Sequence, residues 1–160
     1  MNSMKRIALF PGSFDPFTRG HEQIVESALR LFDKVVIAIG TNCSKSSLLS
    51  VEQRLSYIEA LYCDNDRVEV VTYNELTVDL AHRLGATVVV RGVRSVADFE
   101  FERNLEAVNR HLAPDVQTVL LLTSAEYAHI SSSTVRELLS FGRSVDEYMP
   151  TKIDFSQYLK

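Results

Sequence analysis

Five short apolar runs, RIALF (6–10), KVVIAI (34–39), RVEVVTY (67–73), TVVVR (87–91) and VQTVLLL (116–122), alternate along this chain with segments of helical period. Strands joined through intervening helices pair in parallel, through crossovers that are nearly always right-handed. Val88-Val89-Val90 and Leu120-Leu121-Leu122 lack polar alternation, as expected of strands covered on both faces. The pattern predicts an α/β fold: a Rossmann-like, doubly wound, five-stranded parallel sheet with helices on both faces. Ligands of such sheets bind beyond the carboxyl ends of the strands, near the point where strand order reverses.

The helical segments carry their own punctuation. Ile24, Val25, Ala28, Leu29 and Phe32 fall on one face of the first, and Leu55, Ile58, Leu61 and Tyr62 on one face of the second. Ser50 and Gln53 have capping-box spacing, and the pair Thr134 and Glu137 suggests a cap for the last helix. Pro11 and Gly12 are expected to stop the first run at Phe10, Gly85 to end the third helix, and Pro114 a longer one over about 96–112. No repeat or linker interrupts the 160 residues, which read as a single domain, 1–160, with a helical tail over about 146–160.

A net charge of −4 gives no basic footprint for a nucleic-acid partner. No apolar run approaches the ~20 residues of a membrane span, and none is long enough for a signal-peptide core. Cys43 and Cys63 form no CxxC pair and read as free thiols of a reducing compartment. The expectation is a soluble cytoplasmic protein.

Four of the loops after the strands carry hydroxyls, cations or histidine: PGSFDPFTRGH, GTNCSKSS, RGVRSVADFE and TSAEYAHISSST. Together they make a phosphate-binding inventory. The first contains neither a Walker signature nor GxGxxG. It offers a small turn with Ser13, then a helix start where Thr18 can cap and Gly20 leaves the backbone approachable. His21 stands in the first helical turn, where an imidazolium can stabilise charge developing on a phosphoryl oxygen. Asp15, ahead of Pro16, reads as turn chemistry. Arg91 and Arg94 bracket Gly92, and arginine forks suit phosphate oxygens. A basic edge paired with Asp98, Glu100 or Glu102 is the plainer reading of that pair. Three serines and a threonine open the last helix, more hydroxyls than one cap needs. Lys45 lies among serines after the second run.

GSFDPFTRGH resembles the GxFDPxxxGH signature of the nucleotidyltransferase superfamily, with Thr18-Arg19-Gly20-His21 standing at its (H/T)xGH motif. RGVRSVADFEFE, NRHL (109–112) and EYAHISSSTVRE narrow the resemblance to the bacterial phosphopantetheine adenylyltransferases, over about 6–149. The resemblance implies transfer of AMP from ATP to 4'-phosphopantetheine, giving dephospho-coenzyme A and pyrophosphate, by direct in-line attack with magnesium held mainly by the ATP phosphates. It also implies a homohexamer and feedback binding of coenzyme A.

Matched residue by residue, the resemblance makes His21, Lys45 and Arg91 catalytic. It puts Ser13, Phe14, His21, Gly92, Val93, Arg94 and Glu102, with Tyr127, Ala128, His129, Ile130, Ser131, Ser132 and Ser133, on ATP. Ser13, Lys45, Leu76, Thr77, Arg91, Leu105 and Asn109 fall to the phosphopantetheine. Thr77 stands where a larger apolar residue is common, Phe101 for a frequent Tyr, Tyr127 for Trp and Cys43 for Pro. A nucleotidyltransferase acting on nicotinate mononucleotide or a phosphorylated alcohol is the near alternative. A regulatory module that has lost catalysis is the distant one, and the presence of His21, Lys45 and Arg91 speaks against it.

Overall fold

A computed structural model describes residues 5–42 and 46–159. Among them, β1 (Ile7–Gly12), β2 (Lys34–Gly40), β3 (Val68–Tyr73), β4 (Val88–Val93) and β5 (Gln117–Leu122) form one sheet in the order β3-β2-β1-β4-β5. Every neighbouring pair is parallel. The connecting helices are α1 (Arg19–Leu31), α2 (Val51–Tyr62), α3 (Thr77–Leu84) and α4 (Val96–Leu112), and α5 (Ser132–Ser140) follows β5. The predicted architecture is the observed one. Among the described residues, no helix is long and apolar enough to cross a membrane.

Alternate residues of each central strand serve opposite layers. Ala8 and Phe10, with Val35, Ile37 and Ile39, join a core completed by α1, α2, α5 and Phe155 of the tail. Leu9, Val36, Ala38 and Val89 join a second core with Val78, Leu80 and Ala81 of α3 and with Ala113 and Val116. Both faces being apolar explains why the sequence shows no alternation there.

Most helix punctuation holds. Ser50 and Gln53 exchange backbone-to-side-chain bonds of 3.1 and 2.8 Å, and Gly85 ends α3 in the left-handed conformation, φ 66°. Two boundaries differ. The cap of α5 is Ser131, whose hydroxyl accepts the Thr134 N–H at 3.1 Å, so Thr134 lies inside the helix instead of capping it. β1 continues through Pro11 and Gly12, which pair with Ala38 and Ile39 of β2. On its other side β1 pairs with β4 only at Ala8 and Leu9. Pro11 has no N–H to lose to a ladder, and its carbonyl accepts a hydrogen bond from the Arg91 guanidinium at 2.8 Å. The sheet thus parts between β1 and β4, where strand order reverses, and a crevice opens.

The tail holds two short 3-10 turns, Asp146–Tyr148 and Phe155–Tyr158. The second packs Phe155 and Tyr158 on Tyr57 of α2, with ring centroids 5.2 and 5.1 Å apart.

Candidate active site

At that parting lies a cleft of about 370 Å³. Its walls come from the β1–α1 loop, the end of β4, α4 and the start of α5, and include Ser13, His21, Arg91, Arg94 and Ser133. Phe14, Gly92, Glu102 and Ile130 to Ser132 also face it. Three of the four strand-end loops expected to converge therefore do so. Val93, Tyr127, Ala128 and His129 do not stand in its walls. Val93 is buried, its carbonyl taken by the Thr123 N–H at 2.9 Å, and His129 packs on Tyr148. Lys45 and Cys43 lie outside the described residues.

His21 is the most closely controlled group in the cleft. It is the third residue of α1, and its Nδ1 accepts the backbone N–H of Thr18 at 3.0 Å. Phe14 meets its ring edge-on at 5.0 Å between centroids, and Phe17 lies at 5.3 Å. Burial, and then the positive charges of Arg94 and Arg91, push its pKa down to about 3. The imidazolium expected from the sequence is therefore not the resting form. With Nδ1 an acceptor, the neutral ring carries its proton on Nε2, a fixed neutral donor.

Phe14 reaches its place through a left-handed backbone, φ 48°, with its ring over Gly12. A Cβ on Gly12 would stand 2.9 Å from that ring. Gly92 is constrained similarly, because a Cβ there would meet Ile24 of α1 at 3.0 Å.

The two arginines carry the pairings that the plainer reading anticipated, but inside the cleft. Arg91 Nε and Nη2 each donate to one oxygen of Glu102 at 2.8 Å, and Glu102 is 6% exposed. Arg94 donates to Asp98 and, at 3.2 Å, to the Ile130 carbonyl. Of the α5 serines, Ser131 caps the helix and Ser132 donates to the Pro16 carbonyl at 2.8 Å. The positive terminus of α5 and Ser133 also line the cleft, an arrangement suited to an anion.

Pro11, Arg91 and Glu102 also wall a second, smaller pocket, completed by Thr77, Leu105 and Asn109. Leu76, the remaining residue expected there, is exposed at the start of α3.

Sequence reasoning passed over Arg54 and Arg136. Arg54 is 1% exposed and donates to the Ser13 carbonyl at 2.7 Å. Arg136 donates to the Asp15 carbonyl at 2.7 Å. A signal existed for Arg54, since it shares the helical face of Ile58 and Leu61, an odd position for an arginine.

A parallel sheet of this order, with a histidine at a helix start and arginines across the crevice, has the make-up of a phosphate-binding α/β site, and comparison with known proteins gives its class as a nucleotidyltransferase. The family model described as cytidylyltransferase-like matches residues 9–138. A phosphopantetheine adenylyltransferase from Porphyromonas gingivalis is 55% identical over 146 residues, spanning 91% of this chain and 95% of its own length. One from Cytophaga hutchinsonii is 43% identical, spanning 94% of this chain and all of its own length. The chain belongs to the cytidylyltransferase-like family and, within it, to the phosphopantetheine adenylyltransferases. The fold is also that of a bifunctional NMN adenylyltransferase/ADP ribose pyrophosphatase from Francisella tularensis, with TM-score 0.74 at 19% identity over 98% of this chain. This chain spans about half of that longer protein, 49%.

Proposed function

We propose that this chain transfers the adenylyl group of ATP to 4'-phosphopantetheine, forming dephospho-coenzyme A and pyrophosphate. The observation that carries this is the wall of Pro11, Arg91 and Glu102, common to the phosphate-binding cleft and to the pocket of Thr77, Leu105 and Asn109. In this reading ATP occupies the cleft and the pantetheine arm runs out past the smaller pocket, a depression of about 20 Å³, so that their phosphates meet beside Arg91.

The acceptor phosphate oxygen attacks the α-phosphorus in line, and pyrophosphate leaves from the opposite side. His21 Nε2–H donates to an α-phosphoryl oxygen as charge builds on it. Because Thr18 and the aromatic rings hold the imidazole in place beforehand, little reorganisation is needed at the moment of reaction. Arg94 and the α5 terminus hold the β- and γ-phosphates, while Arg91 and Lys45 hold the acceptor. No covalent intermediate is invoked, so orientation and preorganised charge supply the rate.

Among the described residues no cluster of three His, Cys, Asp or Glu side chains offers a metal cage. The carboxylates of the cleft, Asp98 and Glu102, are each engaged by an arginine. The described carboxylates of the cleft are thus already committed to arginines, and magnesium belongs in this proposal to the ATP phosphates.

We read 1–160 as one nucleotidyltransferase domain of a cytoplasmic enzyme. The exposed row Phe101, Leu105, Val108 and Leu112 on α4 favours a homo-oligomer, with the hexamer and coenzyme A feedback as expectations for sedimentation and inhibition assays. Release of pyrophosphate from ATP and magnesium, with phosphopantetheine compared against nicotinate mononucleotide as acceptor, tests the reaction. Turnover with the nucleotide acceptor alone would refute it.

A further inference from the structure

The two ends of the cleft differ in character. One end holds His21, Arg94 and the start of α5, groups that attract phosphate. The other, beside β5, is built from Ile24 of α1, Gly92 of β4, Thr123 and Ile130, with no charge among them. Ile24 and Ile130 are buried, and a Cβ on Gly92 would meet Ile24 at 3.0 Å, so bare backbone forms the floor. An apolar bed with one placed polar group is how a pocket orients a planar ligand.

The polar group of this bed is Thr123. It follows β5 directly, and its Oγ1 lies 4.0 Å from where a Cβ on Gly92 would stand. Its N–H donates to the Val93 carbonyl at 2.9 Å, and the Ser124 N–H donates to Gln23 Oε1 of α1 at 3.0 Å. The backbone is therefore fixed on both sides, and a β-branched side chain has few rotamers to choose from. Among the described residues the hydroxyl itself forms no hydrogen bond. Ser131 and Ser132 spend theirs on the fold, whereas the Thr123 hydroxyl is held in place and left for a ligand. Thr123 also precedes the stretch that the resemblance puts on ATP, which begins at Tyr127.

We propose that Thr123 is a specificity-determining residue for the nucleotide: its hydroxyl accepts a hydrogen bond from the exocyclic amine of the adenine ring. The proposal rests on the adenylyl-transfer reading above, in which ATP fills the cleft. With the phosphates drawn to His21 and the α5 terminus, the base falls to the uncharged end. There its face lies on Gly92 and the isoleucines, and its edge meets an oxygen that can accept from an amine.

The test crosses the residue with the ligand group. Thr123→Val keeps nearly the same shape and removes the hydroxyl, while purine riboside triphosphate keeps the ring and removes the amine. Calorimetry without acceptor should show ATP binding weakened about tenfold by Thr123→Val, the scale of one net hydrogen bond. Binding of purine riboside triphosphate should change by less than about twofold, since its partner group is already gone. In turnover the loss should appear in KM for ATP and not in KM for phosphopantetheine. Equal losses for both nucleotides, or none for ATP, overturn the proposal. So does a loss that vanishes with 2'-deoxy-ATP or 3'-deoxy-ATP, which assigns the hydroxyl to the ribose. If Thr123→Val does not fold, Thr123→Ala removes the same hydroxyl and must give the same unequal loss. Thr123→Ser keeps the hydroxyl and must keep the preference for the amine. A wild-type enzyme that releases no pyrophosphate from ATP and phosphopantetheine sinks the functional reading, whereas an active enzyme blind to the amine sinks this inference alone.

Discussion

Arg91 and Glu102 meet through two parallel 2.8 Å hydrogen bonds in the wall between the cleft and the smaller pocket. A third bond, to the Pro11 carbonyl, fastens the same guanidinium to the strand from which β4 has parted. The pair thus spans the opening in the sheet, with Glu102 more deeply buried than Arg91.

Removing one member of a buried pair leaves the other uncompensated, whereas replacing both by apolar groups is often tolerated. Glu102→Leu should lower the denaturation midpoint, by an amount corresponding to about 1–3 kcal/mol since Arg91 retains some solvent contact. The double variant Arg91→Met/Glu102→Leu should recover part of that loss yet remain far below wild-type turnover. Urea melts read beside initial rates separate the two outcomes. Recovered activity in the double variant would remove Arg91 from the chemistry.

His21→Ala deletes a preorganised donor and should cut kcat by about 10²–10³, the usual cost of losing one such group. The ring also packs on Phe14 and Phe17, so some stability goes with it. His21→Gln is the control, because it keeps an N–H donor. Calorimetric ATP binding should change much less than turnover in both variants, and an unchanged kcat would exclude the histidine from the mechanism.

The low pKa of His21 has a sign that can be checked. An ordinary histidine takes its proton near pH 6.5, while the folded ring resists protonation down to about 3. Between those values the unfolded chain binds more protons at this site, so His21 makes stability fall as pH falls through that window. At pH 7 both states are mostly neutral and the contribution is small. In the free protein the His21 ring resonances should show no titration between pH 8 and 5, while His21→Gln should lose less stability than wild type on acidification. An inflection near pH 6.5 assigned to His21 would contradict the desolvated site.

The strand-and-helix alternation, the caps at Ser50 and Gly85, and the convergence of three loops on His21, Arg91 and Ser133 were legible in the chain because each rests on local pattern or chemistry. The continuation of β1 through Pro11 was not. It depends on β4 letting go after Leu9 and on Arg91 taking the carbonyl, both of them tertiary facts. Asp15 escaped for the same reason, since turn residues advertise local bonds and its carboxylate instead accepts the distant Leu48 and Leu49 N–H groups. The charge state of His21 was also hidden. The prospect of charge developing on a phosphoryl oxygen at a helix start suggested an imidazolium, but burial and the positive charges of Arg94 and Arg91 decide for the neutral ring.

Gly12 couples the strand end to the histidine through Phe14. An added methyl would lie 2.9 Å from Phe14 Cζ, closer than real contacts allow, and 3.1 Å from Cε1, tighter than most. The Phe14 ring is 2% exposed, wedged among Phe10, Phe17 and His21 with centroids 5.0–5.5 Å away. It has nowhere to retreat without moving the imidazole. Gly12→Ala should therefore cost about 1–3 kcal/mol, as overpacking in a filled core does. Its effect on turnover should exceed what that instability explains, because a displaced Nε2 no longer meets the developing charge. Gly12→Ala/Phe14→Leu, which trims the ring, should restore much of the stability. If turnover in Gly12→Ala matches wild type at a temperature where the variant is fully folded, the aromatic contacts do not position His21.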